Sequence, residues 1–103
     1  MDRIQQLKAY LAASPTDSFL QHALGLEYIK LGEEEQARVV FQELLAANPG
    51  YVGTYYHLGK LLERTGNTEE AIRVYQEGMQ QAMKAGDQHA LGELRAALED
   101  LIY

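Results

Sequence analysis

The chain has 103 residues, of which 47% are hydrophobic, enough for one modest buried core and too many for a disordered polymer. Fifteen acidic against nine basic residues give a net charge of −6, which disfavours a nucleic-acid backbone or an anionic membrane surface as partner. The absence of cysteine excludes disulfides, thiolate nucleophiles and cysteine metal sites, and it suits a reducing compartment.

The first segment, residues 2–13, reads as a helix ending at Ala12-Ala13-Ser14-Pro15. Its start, Met1 to Gln6, lacks the apolar core of a signal segment. No apolar run reaches the roughly 18–20 residues needed to cross a bilayer, so a soluble, unexported, cytoplasmic protein is expected. A second helix is predicted over 16–31, with Phe19, Leu20, Ala23, Leu24, Tyr28 and Leu31 at helical spacing. Ser14 and Pro15 are read as its N-cap and first helical residue, with Asp17 in the first turn. Gly32 suits the left-handed position that closes it.

Glu33, Glu34 and Glu35 then open a third helix, where acids complement the helix dipole. That helix runs through Ala37, Val40, Phe41, Leu44 and Leu45 to the stop Asn48-Pro49-Gly50. Further helices are predicted near 51–65, 68–84 and 87–102, with a loop at Met83 to Asp87. No strand pattern or hairpin signal interrupts them.

A fixed period organises these elements. Pro15 and Pro49, Gly25 and Gly59, and Gly32 and Gly66 each lie 34 residues apart. At that offset Leu24 matches Leu58, Ala37 matches Ala71, Val40 matches Val74, and Gln42-Glu43 matches Gln76-Glu77, while Phe41 becomes Tyr75. The ends carry halves of the same unit. Tyr10 to Pro15 echoes Leu44 to Pro49, and Gln88-His89-Ala90-Leu91-Gly92 repeats Gln21-His22-Ala23-Leu24-Gly25. The layout is a half unit at 2–15, full units at 16–49 and 50–85, and a closing helix at 86–103, all in one domain.

This pattern resembles the tetratricopeptide repeat family over nearly the whole chain. The first unit supplies Leu24-Gly25, Tyr28, Ala37, Phe41, Leu44 and Pro49; the second supplies Tyr55, Leu58-Gly59, Leu62, Ala71, Tyr75 and Gly78. The resemblance implies an all-α superhelix of about six antiparallel helices. In it Gly25 and Gly59 let Phe41 and Tyr75 fill the space between paired helices, and neighbouring units must stack to bury their apolar faces. Gln21 and Gln88 depart from the family's bulky apolar residue, and Met83 replaces a proline. Arg95 stands where the full units have Tyr28 and Leu62, which reads as the polar outer face of a cap or as a snorkelling side chain.

The resemblance also implies a protein-binding groove lined by the first helix of each unit. Carried over by position, its residues are Phe19, His22, Leu26 and Ile29; Gly53, Tyr56, Lys60, Glu63 and Arg64; and His89, Glu93 and Ala96. Phe19, Leu26 and Ile29 are apolar where the next unit has Gly53, Lys60 and Glu63, so they form an anchor for an apolar side chain or pack locally. Some family members grip a partner's C-terminal carboxylate from positions that are here His22, Leu26, Tyr56, Lys60 and Arg64. Only Lys60 and Arg64 fit, so binding of that type is not expected.

Nothing points to catalysis. Phosphate loops, hydrolase elbows and zinc-protease motifs are absent, and the carboxylates cluster at helix starts where capping and solvation account for them. His22, His57 and His89 lack further ligands at metal spacing, and no metal or cofactor is expected. The stripe Leu91, Leu94, Leu98 and Leu101 reads first as a face docked on preceding helices and second as a dimer seam. The reading is therefore a non-enzymatic interaction module, expected as a monomer. The alternative is a structural subunit that associates through its terminal helices.

Overall fold

The computed structural model describes residues 2–103. Six helices follow one another: α1 (Arg3–Ala13), α2 (Ser18–Lys30), α3 (Glu34–Ala47), α4 (Gly53–Arg64), α5 (Thr68–Ala85) and α6 (Gln88–Ile102). Among the described residues all regular structure is helical.

Local signals set the ends. Asp2, Asp17 and Asp87 cap α1, α2 and α6, accepting the N–H of Gln5 at 2.8 Å, Leu20 at 3.0 Å and Ala90 at 3.0 Å. Helices α3 and α5 carry Glu34-Glu35 and Glu69-Glu70 in their first turns, opposite the positive end of the dipole. Three helices close in one way. Gly32, Gly66 and Gly86 adopt positive φ of 76°, 82° and 69°. The following N–H then reaches back five residues, as Glu33 does to the Tyr28 carbonyl at 2.9 Å and Asn67 to that of Leu62 at 2.8 Å.

Two boundaries differ from those expected. Helix α2 begins at Ser18 rather than at Pro15, because the Asp17 carboxylate is its cap. Ser14 and Pro15 instead form a turn in which the Asp17 N–H donates to the Ser14 carbonyl at 3.1 Å, with proline at its favoured second position. The second difference lies after Met83: the helix expected over 68–84 runs to Ala85, so the loop expected over Met83 to Asp87 shrinks to Gly86 and Asp87. Repeat one has Pro49 at the matching place; without a proline the helix continues to Ala85 and stops at Gly86.

The chain forms two compact units, the first ending at Asn48 and the second spanning Pro49–Tyr103. In the first, α2 packs on α1 and α3 around Leu7, Leu24, Tyr28, Ala37, Phe41 and Leu44. A Cβ at Gly25 would lie 2.2 Å from Phe41 Cε1, so only glycine admits the ring. In the second, α5 packs on α4 and α6 around Tyr55, Leu58, Leu61, Leu62, Ala71, Tyr75 and Leu94. A Cβ at Gly59 would lie 2.1 Å from Tyr75 Cε1, and one at Gly78 2.6 Å from Tyr55 Cβ. Burying each such large side chain contributes about 1.5–3 kcal/mol. Leu91 and Leu94 of the α6 stripe are buried within this unit, whereas Leu98 and Leu101 are half-buried. Arg95 is exposed.

Candidate protein-interaction surface

In the second unit, α4 divides into two faces by its helical register. Tyr55, Leu58, Gly59 and Leu62 turn into the core, and Tyr56, Lys60 and Glu63 follow at intervals of four and three along a half-exposed face. The Lys60 ammonium sits 5.7 Å from the centroid of the Tyr56 ring and 3.7 Å from Glu63 Oε2. That same carboxylate oxygen accepts a hydrogen bond from the Tyr75 hydroxyl of α5. Burial, followed by the Glu63 hydrogen bond and charge, pushes the Tyr75 phenol far above its ordinary value, so it remains a donor. A buried tyrosine thus orients Glu63, and Glu63 with Tyr56 positions Lys60. Arg64 is exposed one turn beyond Lys60.

His57 joins this surface although the repeat pattern did not single it out. Its ring meets Tyr56 edge-on at 5.8 Å. Burial lowers its pKa; Glu93 of α6 opposes that shift and Arg64 adds to it. Glu93 and His57 therefore face one another electrostatically, and His89 lies 3.7 Å from Glu93 on α6. The available signal was its spacing from Lys60 and Arg64, three and seven residues. It was obscured because position 57 matches the plain Ala23 of the first unit. Gly53, at the start of α4, and Ala96, on α6, are exposed.

In the first unit, the α2 residues separate. Phe19 is 67% exposed. His22 is half-buried, its ring tilted against that of Phe41 at 5.9 Å, and Leu26 and Ile29 are half-buried. Beside them Glu27 pairs with Lys30 at 3.2 Å and with Arg3 of α1 at 4.0 Å.

Among the described residues no group of three or more His, Asp and Glu is arranged to hold a metal ion, and no helix is long and apolar enough to cross a membrane.

The sequence model of the tetratricopeptide repeat matches residues 28–98. A TPR repeat-containing protein of Pseudomonas aeruginosa is 28% identical over 98 residues, covering 95% of this chain and 93% of that protein. Among solved structures, the tetratricopeptide repeat domain protein of Salinibacter ruber superposes with a TM-score of 0.81 at 42% identity, over 84% of this chain and 88% of that one. Protein BPP2914 of Bordetella parapertussis superposes with a TM-score of 0.83 at 27% identity, over 98% and 88%. Such repeats generally mediate protein–protein interaction, and proteins built from them are typically scaffolds rather than enzymes. With the glycine–aromatic contacts in both units and a match over more than half its length, the chain belongs to the tetratricopeptide repeat family.

Proposed function

We propose that this protein is an intracellular interaction module for an extended or helical segment of a partner protein, with contact residues on the exposed face of α2 in the first unit and on those of α4 and α6 in the second. On α2 the contacts are Phe19, His22, Leu26 and Ile29. On α4 and α6 they are Tyr56, Lys60, Glu63, Arg64, His89 and Glu93. The observation that carries this reading is the Tyr75–Glu63–Lys60–Tyr56 arrangement. A buried hydroxyl orients a carboxylate, which holds an accessible cation against an aromatic ring. Side chains ordered before a partner arrives lose less entropy on binding, which favours affinity.

Affinity capture from native cells, read by mass spectrometry and repeated with a Tyr56→Ala/Lys60→Glu chain, tests it. Both positions are half-exposed, so the variant should fold. Partners retained by the native chain and lost by the variant are the expected result; an unchanged partner set excludes the α4 face.

A second reading is a subunit that self-associates through α6. It is favoured by Ile102 and Tyr103, large apolar groups exposed at the end of that helix. Light scattering decides it, because a mass of 11.6 kDa that is independent of concentration removes the dimer.

A further inference from the structure

A hollow of about 270 Å³ opens on the first unit, lined by Tyr28 of α2 and by Glu35, Gln36, Val39 and Val40 of α3. It is separate from the α2 face considered above. One repeat later the matching residues are Leu62, Glu69, Glu70, Arg73 and Val74. There the second unit has a polar depression lined by Gly66, Asn67, Thr68, Glu69, Glu70 and Arg73. The repeat is thus broken at one telling position: Val39 stands where Arg73 stands. Val39 is 42% exposed. A β-branched residue gains nothing on a solvated helix surface, where arginine is the better helix former. Its apolar surface, continuous with Tyr28 and Val40, is what a partner would cover.

The charge around the hollow is mostly negative. Glu35 is exposed, and its hydrogen bond from Arg38 holds the carboxyl below the usual carboxylate range, so it stays ionised. Glu33 and Glu34 precede it, and Glu43 lies one turn beyond Val39. Of the nearby cations, Arg38 is engaged by Glu35, and Lys8 stands 5.9 Å from the centroid of the Tyr28 ring.

We propose that this hollow is a second docking site, for a protein segment that places one branched aliphatic side chain on Tyr28, Val39 and Val40 and an adjacent lysine or arginine against Glu35 and Glu43. An acidic segment would be repelled by the same carboxylates. So would a second copy offering Ile102 and Tyr103, because Glu99 and Asp100 flank them. The proposal does not depend on the α2, α4 and α6 faces.

The test is a methyl NMR titration of the full chain with three capped peptides, cored on Arg-Leu-Arg, Glu-Leu-Glu and Arg-Gly-Arg. The expected result is saturable movement of the Val39 and Val40 methyls with the first peptide, and affinity at least about tenfold lower for the other two. Val39→Arg installs the residue the fold already accommodates at the matching position. It should weaken the first peptide by about tenfold or more without changing helical content. Val39→Ser serves as a second variant should the arginine perturb the helix. Equal binding of the acidic peptide, methyl shifts centred elsewhere, no binding of the first peptide, or unchanged affinity in both variants would each overturn the proposal. Movement of the Val39 methyls with protein concentration alone would assign the hollow to a second copy instead.

Discussion

The two full repeats solve one packing problem with different chemistry. In the first, Phe41 lies against Gly25, and Ile29 holds the α2 position matching Glu63. In the second, Tyr75 lies against Gly59, and its hydroxyl donates to Glu63. The aromatic ring and its glycine are common to both; the polar atom at the ring's far end is not. Where a hydroxyl is present an acceptor is present, and where it is absent an apolar residue takes the acceptor's place. The lesson is that an exchange of Phe41 for Tyr75 type cannot be judged alone, because its compensation lies twelve residues upstream on the paired helix. That compensation also leaves the units with different surfaces, since Glu63 pairs with Lys60 where the first unit has Ile29 and Leu26.

The largest way to break the comparison is to fill the glycines. Gly25→Ala and Gly59→Ala each place a methyl inside the contact distance of a buried ring, an overpacking that costs about 1–3 kcal/mol. The second should cost more, because Tyr75 is tethered by its hydroxyl and cannot slide as Phe41 can. Chemical denaturation measures both, and adding Tyr75→Phe should make Gly59→Ala less damaging than additivity predicts. Equal costs with full additivity would show that the tether is immaterial.

A smaller effect comes from exchanging the aromatic residues. Tyr75→Phe removes one hydrogen bond and should lose about 1 kcal/mol. Phe41→Tyr introduces a hydroxyl opposite Ile29 rather than a carboxylate and should lose about 1–3 kcal/mol. Ile29→Glu should recover part of that loss when combined with Phe41→Tyr, while being unfavourable by itself. A double-mutant cycle with no coupling between positions 29 and 41 would dissolve the parallel with Glu63 and Tyr75.

The smallest effect is on pH dependence and belongs to the second unit. Burial lowers the His57 pKa below the usual value of about 6.5, so the folded chain resists a proton that the unfolded chain accepts. The contribution to stability is complete above that value and declines as pH falls through it towards the folded pKa. Thermal unfolding compared between pH 7 and pH 5 should therefore show a smaller loss in His57→Gln than in the native chain. The same loss in both would remove His57 as a cause. The comparable position of the first unit is Ala23, which has no such dependence.

Much of the fold could be read from residues whose meaning is local or repeated. The positive φ at Gly32 and Gly66 and the close approach at Gly25 and Gly59 follow from glycine at a fixed period beside a fixed aromatic. Of the α6 stripe, Leu91 and Leu94 are buried within the second unit, and Leu98 and Leu101 stay half-buried. Helix α2 starts after Asp17 because Ser14-Pro15 is taken into a turn closed by the Asp17 N–H, which leaves the Asp17 carboxylate to cap the helix. The loop after Met83 is shorter than expected because no proline or glycine ends α5 before Gly86.

The surface was harder to read. Phe19, Leu26 and Ile29 look alike as apolar residues of one helix face, yet Phe19 is exposed and the other two are half-buried. The tilted contact of His22 with Phe41, and the opposing influences of Glu93 and Arg64 on His57, depend on residues of other helices or other turns.

The sequence by itself determined the family, the helix count, the capping glycines and the buried small–large pairs. Each of these is set by residue type at a fixed spacing, and spacing survives without coordinates. Only the tertiary structure decided which side chains remain accessible, how Tyr75 orders Glu63 and Lys60, and that Val39 opens an apolar hollow where Arg73 does not. Accessibility and charge environment are sums over neighbours brought together by packing, and no single residue carries that information in the chain.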